Sequence, residues 1–177
     1  MMKKISIRNL SRCSVIAALY AAVSIVLMPI TFGAVQMRAA EALTILPVFA
    51  PYGVTSVTLG CLITNAYGVA AGANILGAAD ILFGTAATYS AAVLTRLLRN
   101  VRIKGFPVLA TLPPVLINAV VIGAELTYAE TNSIFSPLLT INMLQIAAGQ
   151  FLSCTVLGLV LFWAFNRTGL SSRLFEQ

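Results

Sequence analysis

Long uncharged apolar stretches alternate along the chain with short clusters of charge. No charged residue falls between Arg12 and Arg38, which leaves room for a first span over residues 13–29. A membrane helix needs about 20 predominantly apolar residues. The uncharged stretch from Glu41 to Asp80 is too long for one such helix, and Pro47, Pro51 and Gly53 interrupt it. It reads as a short segment over 40–50 and a longer one over 52–71. The short segment either crosses the membrane or re-enters it. Gly72 to Gly77 is a Gly/Asn loop. Three further spans follow over 79–98, 107–128 and 137–165. A basic turn from Asn100 to Phe106 and a polar turn at Thr131-Asn132-Ser133 separate them. The pattern predicts an all-α polytopic membrane protein of six transmembrane helices, one integral membrane domain over residues 1–177.

Composition supports that reading. Apolar residues make up 59% of the 177 positions and charged residues 9%; mean hydropathy is +0.96. Soluble domains carry about 25% charge, so a soluble enzyme, a disordered chain and a nucleic-acid-binding domain are excluded. The net charge of +6 then acts as a topology signal. In the six-span arrangement Lys3, Lys4, Arg8, Arg12, Arg96, Arg99, Arg102, Lys104, Arg167 and Arg173 share one side. Arg38 is the exception. Basic loops stay in the cytoplasm, so both termini are expected there. Glu41, Asp80, Glu125 and Glu130 fall on the opposite side or near its surface. The basic, then apolar N-terminus has the look of a signal peptide. More apolar segments follow at once, so a retained first span is expected.

Histidine is absent, and neither a CxxC pair nor a GxxxxGK[ST] loop occurs. The commonest metal ligand, the commonest general base and a P-loop are therefore missing. The expectation is no metal, no cofactor and no catalytic site. Cys13, Cys61 and Cys154 read as lipid-facing or packing residues.

Polar groups at membrane depth are costly and mark function by default. Gln36, Arg38 and Glu41 enter the second segment. Asn74 and Asp80 enter the fourth. Asn118 and Glu125, seven apart, lie nearly on one face of the fifth. Asn142 and Gln145, three apart, share a face of the sixth. Together they predict an outward-facing substrate pocket. Simpler roles compete. Arg38 and Glu41 can form a helix-turn ion pair, Asp80 a dipole-favoured cap, and Asn118 an interhelical hydrogen bond. Glu130 reads as a solvated loop charge. The first span also carries two AxxxA pairs, Ala17 with Ala21 and Ala18 with Ala22, either an internal seam or a docking face.

Three runs carry a family resemblance: FGAVQMRAAEALTILPVFAP (Phe32 to Pro51), NILGAADILFGTAAT (Asn74 to Thr88) and PPVLINAVVIGAEL (Pro113 to Leu126). They resemble the QueT family of queuosine-precursor transporters, substrate-binding (S) components of energy-coupling factor (ECF) transporters. The resemblance implies six helices with cytoplasmic termini in the bacterial cytoplasmic membrane. It implies an outer-side substrate site, and docking on an ECF T component through Ala17, Ala18, Ala21 and Ala22. Two cytoplasmic ATPases would supply the energy. The implied substrate is a 7-deazaguanine base such as queuine or preQ1. Glu125 or Asp80 would meet its N–H edge, Asn74, Asn118 or Arg38 its carbonyl, and Glu41 an aminomethyl cation. Tyr67, Tyr89 or Tyr128 would stack on the ring. Two alternatives stand beside this reading. One is an S component for a flavin, thiamin or a pyridoxine-like base; the other is a stand-alone proton-coupled transporter using Glu125 or Asp80.

Overall fold

A computed structural model describes residues 7–32 and 37–175. Among them every regular element is helical. We label the helices α1 (Ile7–Val26), α2 (Ala39–Val48), α3 (Tyr52–Ala70), α4 (Ala79–Leu97), α5 (Leu112–Thr131), α6 (Leu138–Arg167) and α7 (Leu170–Phe175). A single turn, Met28–Thr31, follows α1, and a 3₁₀ turn, Val108–Thr111, leads into α5. Five helices, all but α2 and α7, are long and apolar enough to cross a membrane. Large apolar side chains point outward along them, such as Val15, Leu82, Leu116 and Leu144. In water such a surface would aggregate; in a bilayer it matches its solvent.

Local chemistry sets the helix ends. Pro113 and Pro114 open α5 where a backbone N–H has no intrahelical acceptor anyway. Asn132 closes it in the left-handed conformation, φ 55°, which Asn tolerates better than most residues. The chain is already helical at Ile7, the first described residue, so Arg8 and Arg12 are carried on the helix itself and not in a loop before it.

The short segment is the centre of the fold. α2 is wound as a 3₁₀ helix around Pro47, with bonds such as Glu41 N–H to the Arg38 carbonyl at 2.8 Å. Its start meets the start of α4 through Arg38 and Asp80. Its end meets the end of α4, where Arg96 donates to the carbonyls of Pro47 at 2.9 Å and Val48 at 3.2 Å. A 3₁₀ helix rises about 2.0 Å per residue, so ten residues reach about 20 Å. As an α-helix they would reach only about 15 Å. The tighter winding lets a short segment run along about two thirds of the 19-residue α4, about 28 Å long, and the side chains of Arg38 and Arg96 reach across its two ends.

Opposite α2, the helix α6 widens. Phe151–Leu157 is a π-helical stretch packed directly on α2. At Gly158 the two elements stay far enough apart that a Cβ would meet the Ala42 carbonyl at 3.6 Å, an ordinary contact. Around α2 the core divides in two. Tyr20, Ala40, Val57, Cys61 and Ala92 surround its first half. Ile45, Val48, Ala110 and Phe162 surround its second, where Phe49 stacks on Phe162 and Phe175, each at 5.2 Å. A third cluster, Leu76, Ile122, Leu126 and Ile146, joins α5 to α6.

The two AxxxA pairs separate. Ala17 and Ala21 are buried; Ala18 and Ala22 are exposed. All three cysteines are buried packing residues, which corrects the lipid-facing option.

Candidate functional site

Asp80 sits in the first turn of α4 and is fully buried. Its Oδ2 accepts from Arg38 Nη2 at 2.8 Å and from Asn74 Nδ2 at 2.8 Å. Its backbone carbonyl accepts from Asn65 Nδ2 at 2.8 Å. Asn74 in turn closes the Gly/Asn loop, its Oδ1 accepting from the Leu76 backbone N–H at 3.0 Å. One turn along α4, Gly84 leaves the space that the carboxylate occupies. A Cβ there would overlap Asp80 Oδ1 and stand 2.9 Å from Asn65 Nδ2. The guanidinium of Arg38 lies 5.7 Å from the Phe32 ring centroid. Four segments thus converge on one desolvated ion pair.

This corrects two simpler readings. Arg38 pairs with Asp80 and not with Glu41. It precedes α2 with extended backbone, φ −81° and ψ 90°, so its side chain leaves the helix. Asp80 does lie in the first turn of α4, where the helix dipole favours its charge, but the cap position is Ala78 and the carboxylate bonds Arg38 and Asn74 instead of a helix N–H. Glu41 lies fully buried on α2, where its Oε1 accepts from the Tyr20 hydroxyl at 2.6 Å. That bond ties α2 to α1.

On α5, which packs against α4, Glu125 is half-buried. Both its carboxylate oxygens are sequestered without a hydrogen-bond partner in the protein. Asn118 is buried and its Oδ1 is also without one. The same holds for Asp80 Oδ1, Asn65 Oδ1 and Glu41 Oε2 among acceptors, and for Arg38 Nε among donors. Each unmet buried group costs about 1–3 kcal/mol. Of these, Asp80 Oδ1, Asn65 Oδ1 and Arg38 Nε belong to the ion-pair cluster itself, which thus keeps two acceptors and one donor unmet.

The remaining candidates separate. Asn142 is buried at the other side of α5, donating to Thr127 Oγ1 at 3.1 Å and Glu130 Oε2 at 2.9 Å. Glu130 is therefore a partnered residue, not a free loop charge. Gln145 is exposed, so Asn142 and Gln145 do not share one environment. Gln36 lies outside the described residues. Tyr67, Tyr89 and Tyr128 are all exposed, and the buried tyrosine is Tyr20. Sequence reasoning missed Tyr20 and Asn65. Asn65 carried a usable signal, an amide in the middle of an apolar span. Tyr20 carried none, because tyrosine is common in such helices.

A family model described as QueT transporter matches residues 10–167. Searches of curated proteins and of solved structures returned no match.

Proposed function

The chain belongs to the QueT transporter family, and from that premise we propose that it is the S component of an ECF-type importer for a queuosine precursor. The substrate is a 7-deazaguanine base, queuine or preQ1. The observation that carries this reading is the sequestered, unpartnered carboxylate of Glu125 on α5, the helix packed against the one that holds Asp80. An N-protonated guanine-like edge presents adjacent donors to a carboxylate, and Glu125 is the carboxylate without a partner. Asn118 and Arg38 Nε are free to meet the ring carbonyl and its neighbours. Asn74 and Asn65 hold Asp80 in place. Glu41 lies deeper and acts through Tyr20, so its proposed contact with an aminomethyl cation requires that bond to open. Gln36 and Gln145 remain candidates for the pocket mouth only.

In this reading α2 counts as the sixth crossing, and both termini lie in the cytoplasm of a bacterial cell with the basic turns. The site then faces outward. The exposed Ala18 and Ala22 form the docking face for a T component, which two ATPases drive. Ala17 and Ala21 belong to the seam with the chain's own helices.

A second reading has its own support. A sequestered carboxylate without a partner also suits a proton carrier, so Glu125 is compatible with a stand-alone proton-coupled transporter. One experiment separates the two. The protein is purified from its native membrane and its bound small molecules are extracted. Co-purification of a T component and two ATPases, with a deazaguanine in the extract, is the expected result. Substrate uptake into vesicles holding this chain alone would overturn it. A bound flavin, thiamin or pyridoxine-like base would keep the class and change the substrate.

A further inference from the structure

Away from the ion pair, a groove of about 530 Å³ opens at the basic end of the molecule. Ile103, Phe106, Leu159, Val160 and Trp163 line it, with one charged residue, Lys104. Two more cations stand beside it. Arg102 lies 4.9 Å from the ring centroid of Phe162, which packs on Phe106 at 6.2 Å. Arg167 lies 4.9 Å from the centroid of Trp163. None of the three has a carboxylate partner among the described residues, whose one ion pair is Arg38–Asp80. From Ile81 to Ala124 and from Thr131 to Phe175 the sequence holds no acid at all.

The turn that carries Lys104 is built against its own preference. Ile103 and Phe106 exchange both backbone hydrogen bonds, at 2.8 and 3.0 Å. Lys104 and Gly105 between them have φ 50° and 85°. A two-residue turn with both φ positive strongly favours Asn-Gly. Lysine in the first place is conformationally disfavoured, so its charge needs another reason.

We infer that this groove binds an anionic phospholipid of the adjoining leaflet, an acyl chain in the apolar trough and the phosphate against Lys104, Arg102 and Arg167. Charge and depth argue for it. A tryptophan beside arginines and a lysine marks the membrane interface, and basic pockets at that depth attract anionic headgroups. The inference rests on the membrane location and not on the transported substrate.

The test uses the full chain in detergent, with phosphatidylglycerol and phosphatidylcholine as probes and bound lipid read by native mass spectrometry. Phosphatidylglycerol is expected to be retained preferentially. Lys104→Asn, which suits the turn at least as well, should weaken that retention about fivefold without lowering the unfolding temperature. Val160→Trp, at an exposed position, should block retention with every charge in place. Equal retention of the two lipids would overturn the inference. So would protection by inorganic phosphate alone, which would make the site an anion site. Unchanged lipid retention with loss of a co-purifying protein would assign the groove to that protein instead.

Discussion

Arg38 and Asp80 stand 42 positions apart in the chain and 2.8 Å apart in space, both sealed from the surface. No bridge of this kind forms on one helix. It exists because α2 runs alongside α4 and brings its own first residues to the first turn of α4. The pair thus ties the residue that leads into the fold's central element to the helix beside it.

Losing one charge should therefore cost more than losing both. Asp80→Asn leaves Arg38 buried and uncompensated, a loss of about 3–5 kcal/mol. The double variant Arg38→Met with Asp80→Leu should recover most of that. Thermal unfolding in detergent measures both. Ligand binding is expected to vanish in each, which separates stability from function.

Glu125 should behave in the opposite way. It has no protein partner to lose, so Glu125→Gln is expected to leave stability unchanged or slightly raised. A charge-assisted hydrogen bond to the ligand is worth about 2 kcal/mol, or roughly thirtyfold in affinity. Calorimetry with a deazaguanine base reads the difference. Unchanged affinity would remove Glu125 from the site.

Two glycines make a controlled comparison. Gly84→Ala drives a methyl into the Asp80 carboxylate and the Asn65 amide. Overpacking of this kind costs about 1–3 kcal/mol, and binding should fall with it. Gly158→Ala meets its nearest atom at 3.6 Å, an ordinary contact, and alanine favours a helix by up to about 1 kcal/mol. It should be neutral or stabilising. Equal effects from both would mean that Gly84 is not shaping the site.

The AxxxA pairs should also part company. Ala18→Leu with Ala22→Leu changes an exposed face, so folding and ligand binding should persist while capture by a T component falls. Ala17→Leu with Ala21→Leu crowds the buried seam and should lower the unfolding temperature of the isolated chain. Capture assays and melting curves on the two variants give opposite patterns if the exposed pair is the docking face.

Much of this was legible in the chain alone. A charge-free stretch long enough for a helix stays apolar for one physical reason, the cost of placing charge in hydrocarbon. The sequence reading put spans at 52–71 and 79–98; the helices run Tyr52–Ala70 and Ala79–Leu97. The same cost singled out Arg38, Asn74 and Asp80 as residues needing partners. It could not say which partners. Helical periodicity relates residues within one helix only, so it pairs Arg38 with Glu41, three positions away, and Asn142 with Gln145.

Sequence by itself determined that this is a helical membrane protein, where its chain turns, and which few polar side chains had to be explained. Tertiary structure alone decided how they pair. Packing α2 as a 3₁₀ helix between α4 and the π-helical part of α6 set which residues meet across the bundle. It gave Arg38 to Asp80 and Glu41 to Tyr20, left Glu125 without a partner, and turned one alanine pair inward and the other out. Those outcomes depend on contacts between segments far apart in the chain, and no local pattern encodes them.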